Sequence, residues 1–354
     1  MTNATQASSA FSQISIAKTF NVLVKPTAMM FRFNQEVSPY IPAVNDSYVF
    51  RTTSLLELLS YLKQPDGDAF YIYGPTGSGK TSLLLETAGR LNWPVQSLTC
   101  NGRMEATDLI GQYVLKAPAP GADPVMAWQY GPLATAMKLG HILLLNEVDM
   151  MPPEELAALN DVLEGKPLVI GTNGGEIIKP HPMFRIVVTA NTVGAGDESQ
   201  AYQGALQQNI ASMDRYRLLK VGYPTPAVEF KILKATFPKA PDSYLNPMIQ
   251  YANGVRDMFM SGQLSVTFST RTLLRWTRLS NRFRSSVNPD QKENGIGYAL
   301  EMSLLRRVDD KPEQRAAMLR LARDVFGQDA WVDGDVAEPE DMASGAATAA
   351  QQAA

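Results

Sequence analysis

One run of residues has the composition and spacing of a phosphate-binding loop. It fits the pattern G-x-x-x-x-G-K-[ST], in which glycines let backbone N–H groups surround phosphate oxygens and the following helix adds its positive end. We expect it to bind ATP through Gly74, Pro75, Thr76, Gly77, Ser78, Gly79, Lys80, Thr81 and Ser82. Lys80 is predicted to contact the β- and γ-phosphates, and the Thr81 hydroxyl to bind Mg²⁺.

The polar residues Asn146 and Glu147 follow an apolar run, residues 142–145, and form the second group that could take part in chemistry. In motor-type P-loop proteins the first of these positions is usually an Asp that holds Mg²⁺ through its water shell. The amide oxygen of Asn146 can still accept from a metal-bound water, but it brings no negative charge to a hard cation. We therefore expect weaker Mg²⁺ binding, with Glu147 still able to orient or deprotonate the attacking water. Slowed hydrolysis is the favoured interpretation, and a site that only binds ATP is the alternative.

A third chemical residue, Asn191, follows the apolar run 184–190. A polar side chain at the end of a neighbouring strand can hydrogen-bond both the attacking water and the γ-phosphate, so we assign Asn191 to the catalytic group. The role of Asp149, two residues beyond Glu147, stays open at the level of sequence.

The elements that must position these residues alternate between short apolar runs and amphipathic stretches. Runs at 69–73, 95–99, 142–145 and 185–190 predict buried strands, and helices are predicted near 80–90, 132–139 and 153–164. This alternation predicts an α/β fold with a parallel sheet between helices. Residues 166–179 predict an inserted β-hairpin around Thr172-Asn173-Gly174-Gly175.

The predicted domains follow from where these patterns start and stop. We expect an extended N-terminal segment at 1–50, the α/β nucleotide-binding core at 51–225, an all-helical lid domain at 226–330 and a disordered acidic tail at 331–354. The tail holds five acidic residues and no Lys or Arg.

The order of these motifs resembles the AAA+ ATPases, in particular the MoxR-like branch with a hairpin inserted in its second helix, and within it the ATPase subunits of aerobic cobaltochelatases. The similarity spans roughly residues 40–285. It is carried by Pro180-His181-Pro182, Phe184-Arg185, the run from Ala190 to Asp197, Tyr202-Gln203-Gly204, Met213-Asp214-Arg215-Tyr216 and Ser269-Thr270-Arg271-Thr272. Asn146 and residues 150–155 depart from the cobaltochelatase pattern.

This resemblance implies roles that the residues alone do not. Arg215 is implied as the arginine finger that reaches the γ-phosphate bound by a neighbouring subunit, with Arg217 as the fallback, and Arg271 as the lid arginine that contacts nucleotide in its own subunit. It also implies a homo-oligomeric ring, expected to be hexameric, with ATP and Mg²⁺ as cofactors. The implied partner is a protein with a von Willebrand A domain or a chelatase-type subunit, so the chain would be the motor of a metal chelatase-like complex or, more broadly, a chaperone.

Composition excludes several other classes of protein. A net charge of −3 argues against a protein that coats nucleic acid, one cysteine excludes a disulfide framework, and two histidines argue against a His-rich metal site. No run of 18 apolar residues predicts a membrane span, so we expect a cytoplasmic protein without a membrane partner.

Two features leave alternatives open. Arg271, Arg275, Arg278 and Arg282 share one helix face. A DNA-processing ATPase would use such a face, but a solvated face, an intersubunit ion-pair stripe or the nucleotide pocket is the preferred explanation, and nucleic acid is not the expected partner. Trp128 and Tyr130 are either a pore-facing loop or packing residues.

A scaffold that oligomerises on ATP with little hydrolysis, because of Asn146, is the main alternative function.

Overall fold

The computed structural model describes residues 10–34, 38–117, 123–194, 205–283 and 295–327. The chain divides into two compact units, Met1–Tyr223 and Pro224–Ala354. The predicted tail at 331–354 and the residues 195–204 that carry part of the family resemblance lie outside the described residues.

The strands of the first unit, numbered along the chain, are β1 (Phe11–Ser15), β2 (Met29–Phe33), β3 (Ala69–Tyr73), β4 (Val95–Thr99), β5 (Gly111–Lys116), β6 (Val125–Tyr130), β7 (Ile142–Asn146), β8 (Leu168–Ile170), β9 (Glu176–Ile178), β10 (Arg185–Ala190) and β11 (Tyr216–Lys220). Its helices are α1 (Ile16–Phe20), α2 (Thr52–Lys63), α3 (Lys80–Arg90), α4 (Ala106–Ile110), α5 (Pro132–Leu139), α6 (Pro153–Ala157), α7 (Asn160–Leu163) and α8 (Ile210–Met213).

Five of these strands form a parallel sheet in the order β11-β3-β10-β7-β4. All six residues of β10 are buried, and so are the first four of β7. Strands buried on both faces require helices on both sides of the sheet. The apolar side chains of the unit accordingly form two clusters, and successive residues of the central strands belong alternately to one cluster and to the other. The predicted α/β fold with its parallel sheet is confirmed.

The N-terminal segment, for which the sequence predicted only extended chain, contains a hairpin. β1 pairs antiparallel with β2, and α1 lies between them in sequence. The rings of Phe31 and Phe33 lie 5.4 and 5.0 Å from the ring of Trp93, which is fully buried. The hairpin is stable because it covers this tryptophan, a long-range contact that no local pattern at 11–33 announces.

Two hairpins are inserted in the α/β unit. β8 pairs with β9 where the hairpin at 166–179 was predicted. The other, β5 with β6, separates α4 from α5 and so interrupts the helical connection between β4 and β7. The predicted helix at 153–164 is also split, into α6 and α7. The sequence missed β5 and β6 because most of their side chains are exposed or half-buried, which leaves little apolar alternation.

The second unit consists of helices and their connections, with no strand among its described residues. Its helices are α9 (Pro226–Thr236), α10 (Asp242–Met260), α11 (Thr270–Phe283), α12 (Gly295–Ser303) and α13 (Pro312–Phe326), with a 3-10 turn at Leu305–Val308. Aromatic side chains organise its core: Tyr251, Phe268 and Trp276 are fully buried and lie within 5.3–5.8 Å of one another. None of the helices in the described part of either unit is long and apolar enough to span a membrane.

Candidate nucleotide-binding site

The phosphate loop connects the carboxyl end of β3 to the start of α3. Gly74, Gly77 and Gly79 all have positive φ, at +145°, +67° and +96°. A Cβ on Gly74 would lie 2.2 Å from the carbonyl oxygen of Val221, so this position has no room for a side chain. The Ser78 hydroxyl is buried and has no hydrogen-bond partner among the described residues. A glycine cradle with an unpartnered polar atom fits a bound phosphate chain.

Lys80 holds its ammonium group over this loop. Its Nζ lies 2.6 Å from the carbonyl oxygen of Gly74, 3.1 Å from that of Pro75 and 3.0 Å from Oδ1 of Asn191. The side chain is largely buried. A buried ammonium with oxygen acceptors on the loop is placed to exchange some of them for phosphate oxygens, and its contact with Asn191 links the loop to β10.

The side chain of Asn146, at the end of β7, is oriented by three hydroxyl groups. Its Oδ1 accepts from Thr81 Oγ1 at 2.9 Å and from Thr189 Oγ1 at 3.3 Å, while its Nδ2 donates to Ser97 Oγ at 3.1 Å. The amide oxygen therefore faces the Thr81 hydroxyl. A hydroxyl and an amide oxygen are hard donors that suit Mg²⁺, and together with phosphate oxygens they could hold it.

Glu147 begins the turn after β7 with a left-handed backbone, φ +56° and ψ 44°. This conformation is uncommon outside glycine and marks a position that its surroundings constrain. The backbone N–H donates to Thr189 Oγ1 at 3.4 Å. The carboxylate is exposed and has no hydrogen-bond partner among the described residues, so it is available to a water molecule.

The structure shows the contacts of Asp149, whose role the sequence left open. It lies in the 3-10 turn Val148–Met150 and is 1% exposed. Its Oδ2 accepts from the backbone N–H of Asn191 at 2.8 Å and from that of Thr192 at 3.2 Å. The carboxylate is therefore engaged with the turn after β10 and not with Thr81. Burial, with a further contribution from Asp149 and Glu147, raises the pKa of the nearby Cys100 thiol to about 12.

Arg51 and Tyr223 are contacts of the phosphate loop that sequence reasoning missed. The Arg51 guanidinium donates to the carbonyl oxygen of Ser78 at 2.9 Å and to that of Gly222 at 2.7 Å. The Tyr223 hydroxyl donates to the carbonyl oxygen of Thr76 at 3.1 Å. Burial lowers the pKa of Arg51. These contacts join positions up to 171 residues apart in sequence, and no local motif predicts them.

The two candidate finger arginines have different surroundings. Arg215 pairs with Glu164, with Nε at 2.8 Å and a terminal nitrogen at 2.6 Å, and also donates to the carbonyl oxygen of Ala211. Arg217 is bound to the turn after α2, at 2.6 Å from both Asp66 and Asp68. Arg217 thus anchors the edge strand to this turn, whereas Arg215 is paired with Glu164.

Arg215 also lies at the opposite edge of the sheet from the phosphate loop. It directly precedes β11, whose first residue, Tyr216, pairs with Ala69 at the start of β3, whereas the loop follows the last residue of β3. The strands are parallel and five residues long, so one strand length, roughly 16 Å, separates the two positions along the sheet. Arg215 and the phosphate loop of the same chain therefore lie at opposite ends of these strands.

Arg271 belongs to the second unit, in the first turn of α11. It is exposed, as are Arg275 and Arg278 on the same helix face. Two groups contact the start of α11. Ser269 Oγ accepts from the backbone N–H of Thr272 at 3.1 Å. Glu229 and Arg256 form a buried ion pair 2.6 Å apart, in which Glu229 accepts from Thr270 Oγ1 and Arg256 donates to the carbonyl oxygen of Phe268.

The first unit brings five predicted site residues together at the carboxyl ends of its parallel strands: Lys80, Thr81, Asn146, Glu147 and Asn191. This is the edge at which parallel α/β sheets bind ligands. Arg215 lies at the other edge, and Arg271 lies in the other unit.

Comparisons with known proteins identify two matching family models and several relatives. Residues 69–208 match the AAA domain of the dynein-related subfamily, and residues 229–325 match the C-terminal domain of CbbQ, NirQ and NorQ. The chain is similar to the aerobic cobaltochelatase subunit CobS of a Sinorhizobium species, with 26% identity over 81% of this chain and 83% of that protein. An uncharacterised protein of Staphylococcus haemolyticus is 28% identical over 69% of this chain and 85% of its own length. Among solved structures, a RuvB mutant of Thermotoga maritima has a TM-score of 0.47 and 16% identity, covering 77% of this chain and 75% of that one.

Proposed function

Because the chain belongs to the AAA ATPases of the MoxR/CbbQ type, we propose that it is an ATP-hydrolysing motor that assembles into a ring and remodels or activates a partner protein. The observation that carries the proposal is the meeting of Lys80, Asn146, Glu147 and Asn191 at one edge of the sheet. These groups supply a cation, a metal-side oxygen, a base and a polar donor around one phosphate position.

In the proposed reaction each residue of this edge has one task. The glycine cradle and Lys80 bind the phosphates, and Asn191, which contacts Lys80, would hydrogen-bond the γ-phosphate. Glu147, exposed and unpaired among the described residues, orients the attacking water and accepts its proton. Mg²⁺, when bound beside Thr81 and Asn146, would neutralise charge on the phosphate oxygens. The chain's own oxygens carry no formal charge there, so we expect hydrolysis to be slow.

The position of Arg215 supports the proposed ring. It precedes β11 at the end of the sheet opposite the phosphate loop, where it is poorly placed for the nucleotide of its own chain. A guanidinium that reaches the nucleotide of a neighbouring subunit would neutralise charge developing on the transferred phosphoryl group. We therefore propose that ATP binds between subunits, in a ring that family resemblance suggests is hexameric, with Arg271 as the lid arginine acting within each subunit.

The partner is proposed from the relatives and from the two inserted hairpins. Similarity to CobS suggests a chelatase-type partner, or more broadly a protein with a von Willebrand A domain, met in the cytoplasm. Val169 and Ile177, which pair across β8 and β9, are both 61% exposed, and Leu115 and Met126 across β5 and β6 are 72% and 69% exposed. Paired apolar side chains on projecting hairpins suit contact with another protein.

The aromatic residues Trp128 and Tyr130 of the β5–β6 hairpin make contacts that support a packing role and not a pore-facing role. Trp128 is half-buried against the core and makes an edge-to-face contact with Tyr113, their ring centroids 5.1 Å apart. Tyr130 donates to Glu176 at 2.8 Å, which joins β6 to β9. Trp128 thus packs within its own hairpin, and Tyr130 joins the two hairpins.

Two alternatives retain a specific observation each. The neutral Asn146 favours an ATP-dependent scaffold with little hydrolysis. The exposed Arg271, Arg275 and Arg278 favour a DNA-processing ATPase, for which hydrolysis would rise on addition of DNA.

The deciding experiment is ATP turnover by the wild-type chain and by Glu147→Gln. If Glu147 is the base, the variant should lose at least about 100-fold in kcat while its affinity for ATP stays within about twofold. The Lys80→Ala variant is the matched comparison and should lose binding itself. A wild-type chain without turnover would leave the scaffold as the better proposal, and equal rates for wild type and Glu147→Gln would reject Glu147 as the base.

A further inference from the structure

A buried carboxylate next to the candidate site has no role in the reaction described above. Asp149 is 1% exposed, and no Lys, Arg or His of the described residues pairs with it. It lies two residues after Glu147, in the turn that leaves β7. Burying an unpaired carboxylate is costly, so its position needs compensating hydrogen bonds.

Those hydrogen bonds come from the turn after β10 and reach one carboxylate oxygen, Oδ2, whereas Oδ1 is buried without a hydrogen-bond partner among the described residues. Asp149 Oδ2 accepts from two successive backbone N–H groups, of Asn191 at 2.8 Å and of Thr192 at 3.2 Å, with the Thr192 hydroxyl at 3.4 Å. Hydrogen bonds to an ionised acceptor are about twice as strong as those between neutral groups. One oxygen therefore fixes the direction of two consecutive peptide groups.

The same turn is held from its other side. The Tyr71 hydroxyl, on β3, donates to the carbonyl oxygen of Thr192 at 3.1 Å. Asn191, held by its N–H, reaches with its Oδ1 to within 3.0 Å of Lys80 Nζ. A continuous series of contacts thus runs from Asp149 through the backbone of Asn191 to the ammonium group above the phosphate loop.

We propose that Asp149 is a positioning residue: it fixes the turn after β10 so that the carboxamide of Asn191 faces Lys80 and the γ-phosphate. The inference rests on the proposed function for its kinetic consequence. Because Asp149 and Glu147 leave β7 on the same turn, the arrangement also holds Asn191 at a constant distance from the candidate base. A displacement of about 1 Å at such a position can lower a rate about 100-fold.

The test compares Asp149→Ala, Asp149→Asn, Asn191→Ala and the double variant Asp149→Ala/Asn191→Ala. Asp149→Ala should lower kcat by about 10–100-fold, with the Kd for ATP within about twofold of wild type. Asp149→Asn keeps an oxygen acceptor and should recover most of the loss. Residues that act as one unit are non-additive, so the double variant should be no slower than Asn191→Ala. Thr192→Val, which removes only the 3.4 Å hydroxyl contact, is the matched control and should keep wild-type kcat.

Hydrogen exchange separates this inference from the proposed function. In Asp149→Asn the acceptor is neutral, so the amides of Asn191 and Thr192 should exchange faster than in wild type while the strand amides of β10 do not. This measurement also covers the case in which Asp149→Ala fails to fold. Unchanged exchange at both amides, a kcat loss that adds to that of Asn191→Ala, or loss of ATP binding in Asp149→Asn would overturn the inference. Absence of turnover in the wild type would instead overturn the proposed function, and exchange would still decide whether Asp149 holds the turn.

Discussion

At the scale of single residues, Asn146 is the position that most affects how the site treats a metal ion. Its oxygen faces Thr81 because Ser97 accepts from its nitrogen. The side chain therefore has the geometry of a metal-side acceptor without the charge. A carboxylate of the same shape would add a full negative charge a few ångströms from the cation.

We predict that Asn146→Asp strengthens Mg²⁺ binding in the presence of ATP by roughly tenfold, or about 1.4 kcal/mol, as expected for one added charge near a divalent ion in a hydrated site. The measurement is a Mg²⁺ titration of nucleotide binding. Ser97→Ala is the control, since it releases the amide without adding charge and should produce no increase. Equal Mg²⁺ affinities for wild type and Asn146→Asp would place the metal away from this side chain.

At the scale of elements, the edge strand β11 and the residue before it supply two arginines with different partners. Arg217 bonds the strand to the turn after α2, and Arg215 stands just before it, paired with Glu164. The difference in partners predicts a difference in phenotype.

We predict that Arg215→Ala abolishes turnover while ATP still binds, because its charge acts on nucleotide held by a neighbouring subunit. Arg217→Ala, the matched control two positions along, should lower Tm by a few degrees but keep most of the turnover. The measurements are steady-state ATPase activity, ATP affinity and thermal unfolding. Loss of ATP binding in Arg215→Ala would reject its action on a neighbour, and loss of turnover only in Arg217→Ala would exchange the two assignments.

In the second unit, the buried ion pair of Glu229 and Arg256 contacts the start of α11 through Thr270 and Phe268. Glu229 is fully buried, and Arg256 is 5% exposed. Removing one member leaves the other as an uncompensated buried charge, so Glu229→Ala should cost about 3–5 kcal/mol of unfolding free energy. Asp242→Ala, which breaks the exposed pair with Lys234, should cost less than about 1 kcal/mol. Denaturant titration of both variants measures this. A cost for Glu229→Ala no larger than that for Asp242→Ala would show that the pair is not what holds the helix.

At the scale of the whole molecule, the proposed motor requires more than one chain. A nucleotide bound by the phosphate loop of one subunit and contacted by Arg215 of the next makes ATP part of the interface. Binding energy for ATP then also stabilises assembly.

We predict that saturating ATP shifts the chain from small species to a closed ring, and that Glu147→Gln accumulates this ring because it binds ATP without consuming it. Light scattering coupled to size exclusion measures the mass. Lys80→Ala should remain small under the same conditions. A Glu147→Gln chain that stays monomeric at saturating ATP would contradict assembly through the nucleotide.

The local sequence determined those elements whose functional residues are adjacent along the chain. The phosphate loop needs its glycines, Lys80 and Thr81 in one run, because a strand, a turn and a helix follow each other there without interruption. The strands at 69–73, 95–99, 142–145 and 185–190 were predicted within one residue of their bounds. Three of them, β3, β7 and β10, are apolar and buried over most of their length because helices cover both faces of the sheet. The prediction that β4 is buried on both faces is wrong, because β4 is an edge strand whose Ser97 and Thr99 are exposed.

Only the tertiary structure decided the features that depend on register between distant segments. The N-terminal hairpin, β5 with β6, and the edge strand β11 are stabilised by partners far along the chain, so their own residues carry a weak signal. The orientation of Asn146 by Ser97, and the engagement of Asp149 with Asn191, join residues 42–49 positions apart. The pairing of Tyr216 with Ala69 places Arg215 opposite the phosphate loop. The sequence identifies residues that could take part in chemistry, but the pairing of parallel strands decides which of them lie close together.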